Sequence, residues 1–380
     1  MRAFYLILLL FGSTVSFGQT TYFPDKVNWE EKSPSSQKFT ANLLQKAVDF
    51  ATSNEYTESK DLRQAILKSF ENEPFHEILG PTKHRGGPAG VILKNGHIVA
   101  KWGDVDRVDM TFSVTKSFLS TTALLAMDKG LIENVNDPLS NYVWDGTFDG
   151  DHNSKVTWQH LLDQTSDWSG NLWGSYDWAD RPPSSGDLDK WKNRQLNEPG
   201  TFFKYNDVRV NLLAYSLLQV WRKPLPQVLK DEIMDPIGAS PSWRWYGYDN
   251  AWVNIDGLKM QSVTGGGHSG GGLFINTLDM ARFGLLFENN GNWNGKQLLS
   301  QENIEKALTS SPVNSNYGYM WWLNREGVRQ WKNLPEGLFY AAGFGGNFIV
   351  IDREENLVIV TRWLEPSQIE TFLTKVYSAL

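Results

Sequence analysis

Ser113 and Lys116, in "DMTFSVTKSFLS" at residues 109–120, stand three positions apart at what reads as a helix start. Residues i and i+3 of a helix share a face one turn apart, so the lysine amine can lie beside the serine hydroxyl. That pair offers an alcohol nucleophile and a nitrogen base in a chain with six histidines and no cysteine. The same spacing recurs at Ser35 and Lys38, so spacing alone decides nothing. Ser113 at the helix start also has its own N–H outside the helical ladder, where it and the helix dipole favour a developing oxyanion. The chemistry makes one demand. A lysine with the ordinary pKa near ~10.4 is protonated, and it becomes a base only where burial or positive potential lowers that value. A shift of ~3 units costs about 4 kcal/mol of charged-state stability. A tyrosine that passes the proton onward eases the demand. Tyr205 is suitably placed in "EPGTFFKYNDVRVNLL", after a Pro199-Gly200 turn and just before a helix.

A rival nucleophile is present. Gly267-His268-Ser269-Gly270-Gly271 fits G-x-S-x-G, the nucleophile elbow of α/β-hydrolases, whose catalytic histidine follows the serine in chain order. No histidine follows Ser269, so the glycine-rich stretch reads instead as a close-packed turn before a strand. No HExxH or comparable cluster points to a metal hydrolase, and neither a metal nor any other cofactor is expected.

The elements that must position these residues follow from periodicity. "FTANLLQKAVDFATSN" and "KDLRQAILKSFEN" have helical spacing, and "AGVILKNGHIVAKWGD" is two strands around the hairpin dipeptide Asn95-Gly96. "VTKSFLSTTALLAMDKG" is a helix stopped at Gly130. From about 140 to 255 the pattern is mostly helical and loop-rich. Strands return in "GGGLFIN", "YGYMWWLN", "LFYAAG", "NFIVID" and "LVIVTRW", with helices at "LDMARFGLLFEN" and "SQIETFLTKVYSAL". This order predicts an α+β protein: an antiparallel sheet flanked by helices and drawn from both ends of the chain, with a helical lobe inserted. The expected sheet lobe runs over about 19–140 and 256–380 and the helical lobe over about 141–255, with a cleft between them.

"MRAFYLILLLFGSTVSFGQ" has a basic start, a short apolar run and small residues at Ser16 and Gly18. It reads as a cleaved signal over residues 1–18, which predicts an exported protein, periplasmic or secreted, whose body is a single domain over 19–380. No later segment reads as an integral membrane span. Disulfides are excluded by the absence of cysteine, and the net charge of −7 argues against nucleic acid as a partner. The 17 tryptophans read first as core and interlobe packing and second as an aromatic-lined cleft.

SVTK at 113–116 and the Pro-Gly…Tyr stretch at 199–205 resemble the serine β-lactamase and D-Ala-D-Ala peptidase superfamily. The nearer likeness is to its class C branch, with its esterases and 6-aminohexanoate-dimer hydrolases. "WQHLLDQTSDW" at 158–168, "IMDPIGAS" at 233–240, "GGLFINTLDMARFGLL" at 271–286 and "YGYMWW" at 317–322 support it, over roughly residues 85 to 365. The resemblance implies a β-lactamase/transpeptidase-like fold, Ser113 as the acylated nucleophile, and Lys116 and Tyr205 sharing the acid–base work. Two departures stand out. Where the family usually has Tyr-x-Asn, this chain has Tyr205-Asn206-Asp207. Asp207 either caps the helix that follows or faces Lys116, where its charge would hold the ammonium and shift deprotonation toward Tyr205. The third motif, normally Lys or His, then Thr or Ser, then Gly, falls in "YAAGFGGNF" as Ala341-Ala342-Gly343 or Gly343-Phe344-Gly345, without the cation that helps hold a substrate carboxylate. A backbone N–H around Gly345, Gly346 and Asn347 remains available as the second oxyanion donor.

Other residues are expected around the cleft. His268 either lines it beside the glycine-rich turn or is a structural histidine. Asp177 and Asp180 form an acidic rim for an amine-bearing substrate or are solvated loop charges. Trp168, Trp173 and Trp178 lie nearby in sequence and offer stacking surfaces. Together these features predict a serine hydrolase acting through an acyl-enzyme on a small ester or linear amide. The alternatives are a β-lactamase or D-Ala-D-Ala carboxypeptidase, or a non-catalytic receptor of the same fold for β-lactams or peptides.

Overall fold

The computed structural model describes residues 21–184, 186–325, 327–328 and 330–380; the expected signal over 1–18 lies outside them. Among its helices and strands, in chain order, are α1 (Ala41–Ser53), β1 (Ala89–Lys94), β2 (His97–Trp102) and β3 (Asp109–Met110). The interior of the chain supplies α2 (Thr115–Asp128), α3 (Asp207–Trp221), β4 (Arg244–Tyr246), β5 (Gly272–Ile275) and α4 (Thr277–Glu288). The last stretch adds β6 (Trp322–Leu323), β7 (Phe339–Gly343), β8 (Asn347–Asp352), β9 (Leu357–Arg362) and α5 (Ile369–Tyr377).

Six strands form one sheet in the order β6-β7-β8-β9-β1-β2, every pairing antiparallel. The α+β expectation therefore holds. The hairpin β1–β2 turns at Asn95 and Gly96, both at positive φ (52° and 81°), as a two-residue turn matched to strand twist requires. All six residues of β1, β8 and β9 are buried, because helices cover both faces of the sheet. On one face α1 and α5 pack over Ile92, Val350 and Ile359. On the other lies α4, brought close by Gly284, where a Cβ would stand 2.6 Å from Val358.

The strand expected in "GGGLFIN" forms as β5, and the one expected in "YGYMWWLN" needs correction. "GGGLFIN" does not join the large sheet: β5 pairs with β3 and β4 in a separate three-stranded sheet. Of "YGYMWWLN" only Trp322–Leu323 is strand, because the Tyr319 and Met320 amides instead donate to the Ala307 and Leu162 carbonyls. This small sheet leads the chain directly into the Ser113 turn. α2, which follows that turn, is buried nearly all round and packs against α3, as expected of a core helix. Among the described residues no helix is long and apolar enough to cross a membrane.

Candidate active site

Ser113 lies in a single 3₁₀ turn, Phe112–Val114, between β3 and α2. Phe112 holds φ at +51°, an uncommon conformation for a bulky residue, and its ring is fixed against Phe344 (4.9 Å between centroids) and Trp363. The turn is held on two sides. The Thr111 amide donates to the Leu273 carbonyl on β5, and the Leu273 amide donates to the Thr115 hydroxyl. Gly343 at the end of β7 lies so close that a Cβ there would be 2.1 Å from the Thr111 carbonyl oxygen. Gly343, the closing glycine of Ala341-Ala342-Gly343, is thus against the serine turn, whereas Gly345, the closing glycine of the alternative, packs against Trp363 and Tyr56. Neither the Ser113 nor the Phe344 amide donates a hydrogen bond among the described residues.

One turn along α2, Lys116 Nζ donates to Ser113 Oγ at 3.0 Å, while Ser113 itself remains partly exposed. The lysine is buried, and its amine also makes a short hydrogen bond to Asp207 Oδ1. Gly266 leaves room for this pair: a Cβ would fall 2.2 Å from Asp207 Oδ1 and 2.6 Å from Lys116 Nζ. Tyr205 does approach from the opposite side, but the amine sits over its ring face, 4.8 Å from the centroid. Its hydroxyl makes no hydrogen bond among the described residues. Gln164 fixes the tyrosine by accepting from its two neighbours, from the Lys204 amide through its carbonyl and from the Asn206 amide through its side chain. Trp322 stacks on the outer face of Tyr205 at 5.9 Å.

The helix-cap reading of Asp207 is corrected. Asn206 caps α3, its side chain accepting from the Arg209 amide at 3.0 Å. Asp207 is left free to turn its carboxylate inward, where it meets three cations. Besides Lys116, Arg181 Nη1 lies 2.7 Å from Oδ2, and His268 Nδ1 lies 3.4 Å from the same oxygen. Burial pulls the Lys116 amine down, but the Asp207 carboxylate more than offsets this and leaves it above the ordinary lysine range. Burial raises Asp207, yet Lys116, Arg181 and His268 together hold it well below the usual carboxylate range. For His268 burial is likewise outweighed, here by Asp180, Asp207 and Glu73, and its pKa is raised to about 9. The resting pair is therefore ammonium and carboxylate. The serine faces a protonated lysine.

Residues 75–362 match the sequence model of a family described as "Beta-lactamase". This chain belongs to the β-lactamase family. It is 24% identical over 316 residues to an uncharacterized protein of Alkalihalophilus pseudofirmus, covering 72% of this chain and 82% of that one. It shares its fold with a family VIII carboxylesterase (TM-score 0.57, 18% identity, 84% of this chain and 96% of that one). The same is true of a penicillin binding protein from Bacillus halodurans (TM-score 0.57, 16% identity, 84% and 100%). As a β-lactamase-family member it is a hydrolase of the serine β-lactamase fold.

The remaining expected residues of this β-lactamase-family protein fall into two groups. Asp180 and His268 join the charge cluster. Asp180 is not a solvated rim charge: it is buried, one oxygen pairs with Arg181 at 2.6 Å, and the other accepts from the Asp207 and Val208 amides. His268 lines a small cleft with Glu73, Asp180, Asp207 and Tyr248, but both its nitrogens already face carboxylates, Nε2 lying 2.7 Å from Glu73. Ligand atoms of Glu73, Asp180 and His268 lie within 4.8 Å of one another, a spacing a metal ion would accept. All three groups are engaged in the ion network instead.

The other group lies away from the serine. Asp177 is buried and pairs with Arg209 at 3.0 Å. Trp168 is core, and Trp173 packs edge-on against Tyr215. Trp178 accepts from the Trp191 indole through its carbonyl. Gly345 and Gly346 form the β7–β8 turn, both at φ +78°, and pack against Trp363 and Leu364. The Asn347 side chain is buried, donating to the Phe344 carbonyl and accepting from Arg362. The residue of that turn that packs on the serine turn is Phe344, whose ring lies against Phe112. Sequence reasoning missed Phe344, Gln164, Arg181 and Glu73; none is set apart by type or spacing.

Proposed function

We propose that this protein is an exported hydrolase that forms an acyl-enzyme on Ser113 with small esters or linear amides. The observation that carries the reading is the 3.0 Å contact between a buried amine and a partly exposed serine hydroxyl. Ser113 Oγ attacks the carbonyl carbon, its proton passing to Lys116 once that amine is free or to the Tyr205 phenolate. The Ser113 and Phe344 amides, which have no acceptor among the described residues, receive the oxyanion. The leaving alcohol or amine takes the proton back, and water, activated by the same base, releases the acyl group. Export rests on the residues of the N-terminal stretch alone.

Small neutral substrates are favoured over β-lactams and peptides with a free carboxylate. Ala341 occupies the position where the resemblance calls for a cation, and its side chain packs in the hydrophobic core. The test is a substrate panel of short-chain nitrophenyl esters, linear ω-amino-acid amides, a chromogenic cephalosporin and D-Ala-D-Ala peptides. Ester or amide turnover should exceed cephalosporin turnover and fall at least about a thousandfold in Ser113→Ala. Turnover undiminished in that variant removes the assignment.

The Asp207–Lys116 pair favours a second reading, a receptor that is acylated slowly or not at all. Intact mass after a fluorophosphonate challenge separates the two. A rapid adduct that requires Ser113 supports the enzyme; its absence supports the receptor.

A further inference from the structure

Lys116 would be locked as an ammonium if Asp207 answered to it alone. Instead Asp207 faces three cations, and Arg181 is the one built to hold it. Arg181 follows Asp180 and precedes Pro182, with its own φ at +46°, an αL position that swings the side chain inward. Its Nη1 lies 2.6 Å from Asp180 Oδ1 and 2.7 Å from Asp207 Oδ2. The guanidinium lies against two rings, 5.6 Å from the Phe70 centroid and 5.3 Å from that of Tyr205. The backbone is tied as well, since the Lys204 ammonium donates to the Arg181 carbonyl. A planar cation with two carboxylates on one of its nitrogens and aromatic rings beside it is a fixed object.

We propose that Arg181 is the positioning residue of this site: by holding the outer oxygen of Asp207 it sets how tightly the inner oxygen grips the Lys116 amine. The inference rests on the reading of Lys116 as the partner of Ser113. The strand side offers no cation at Ala341, and the positive charge facing Asp207 besides Lys116 comes from Arg181 and His268. Around Lys116 and Asp207 the charged groups are Arg181, His268, Asp180 and Glu73, with Lys204 farther out; Tyr205 also faces them, as do Tyr248 and Tyr317, whose hydroxyl pKa values burial pushes up. Removing Arg181 therefore acts in one direction. It concentrates the Asp207 charge on Lys116 and takes away a repelling cation, so the ammonium is held more firmly.

The experiment measures the second-order rate of Ser113 modification by a fluorophosphonate between about pH 6 and pH 10. Arg181→Gln should lower that rate by about tenfold and move its rising limb to higher pH. Arg181→Lys, which keeps charge but not the planar guanidinium between the two rings, should lose about threefold and serves if the glutamine variant does not fold. In an Asp207→Asn background the same Arg181 change should alter the rate by no more than about twofold. A rate and profile unmoved in folded Arg181→Gln overturns the proposal, as does an equal loss without Asp207. Exchange of the Lys116 ammonium protons with water, followed by NMR, reads the grip without any serine chemistry. It should slow by about tenfold in Arg181→Gln, and unchanged exchange overturns the proposal. A wild-type serine that never reacts would sink the hydrolase reading alone, leaving the exchange measurement to decide this one.

Discussion

At the scale of single residues, the site is a balance of three cations, Lys116, Arg181 and His268, against three carboxylates, Asp207, Asp180 and Glu73. Buried ion pairs are costly to form and more costly to break singly, so each member constrains the rest. His268 gives this a measurable sign. Its pKa is raised from 6.5 to about 9, so the stability it contributes is complete below about pH 6.5 and is lost as the pH rises through 9. Chemical denaturation between pH 6 and pH 9.5 should show wild type losing on the order of 3 kcal/mol, whereas His268→Gln should start lower and stay flat over that window. A wild-type profile as flat as the variant's would mean that the imidazole is neutral when folded. Much of this site was legible in the chain. Ser113 and Lys116 announce themselves by helical spacing, and Tyr205 by its place between a Pro-Gly turn and a helix. The two outcomes open for Asp207 were decided by its neighbour: Asn206 takes the cap, and the aspartate is left facing inward. Arg181 and Glu73 left no trace, because their partners lie 26 and 195 positions away and no local rule brings such residues together.

At the scale of elements, the chemistry depends on backbones passing unusually close. Gly266 lets its segment lie across the Lys116–Asp207 pair, and Gly343 lets β7 touch the carbonyl at the start of the serine turn. Gly266→Ala places a methyl group within 2.6 Å of both charged atoms. Because those atoms are the buried ends of a fixed pair, one of them must move. Turnover should fall by about a hundredfold or more, with a stability loss of only about 1–3 kcal/mol, checked by ester hydrolysis beside urea melts. Unaltered kcat/KM would mean that the pair is not held as described. Periodicity located the strands and helices well where they were long: the β1–β2 hairpin and α2, α3 and α4 stand where the pattern puts them. It misled in "YGYMWWLN", an apolar aromatic run with the composition of a strand, whose backbone hydrogen bonds go to the helical region instead. It could not assign β5 to a sheet, since "GGGLFIN" carries no mark of its pairing partner.

At the scale of the whole molecule, Arg362 joins the two sheets. Its buried guanidinium donates to Asn347 Oδ1 (2.6 Å), the Ile275 carbonyl (2.8 Å) and the Met110 carbonyl (2.9 Å). Burial pulls its pKa down to about 10, a measure of how little solvent reaches it. Arg362→Met would take a donor from three buried acceptors, at roughly 1–3 kcal/mol for each one left unpaired. Denaturant melts should show a loss above about 3 kcal/mol, and the folded remainder should react poorly with a fluorophosphonate because β3 carries the chain into the serine turn. Full reactivity at wild-type stability would show that the two sheets do not need this link. The sheet order has its own outcome in time. Ile92 lies opposite Ile359, so one of the first strands synthesised has a neighbour that is among the last. A ribosome working toward the C-terminus exposes β1 and β2 long before β9 can close over them, and contacts so distant in sequence form slowly. Until its final segment emerges, the nascent polypeptide displays an unpaired apolar edge that invites a chaperone.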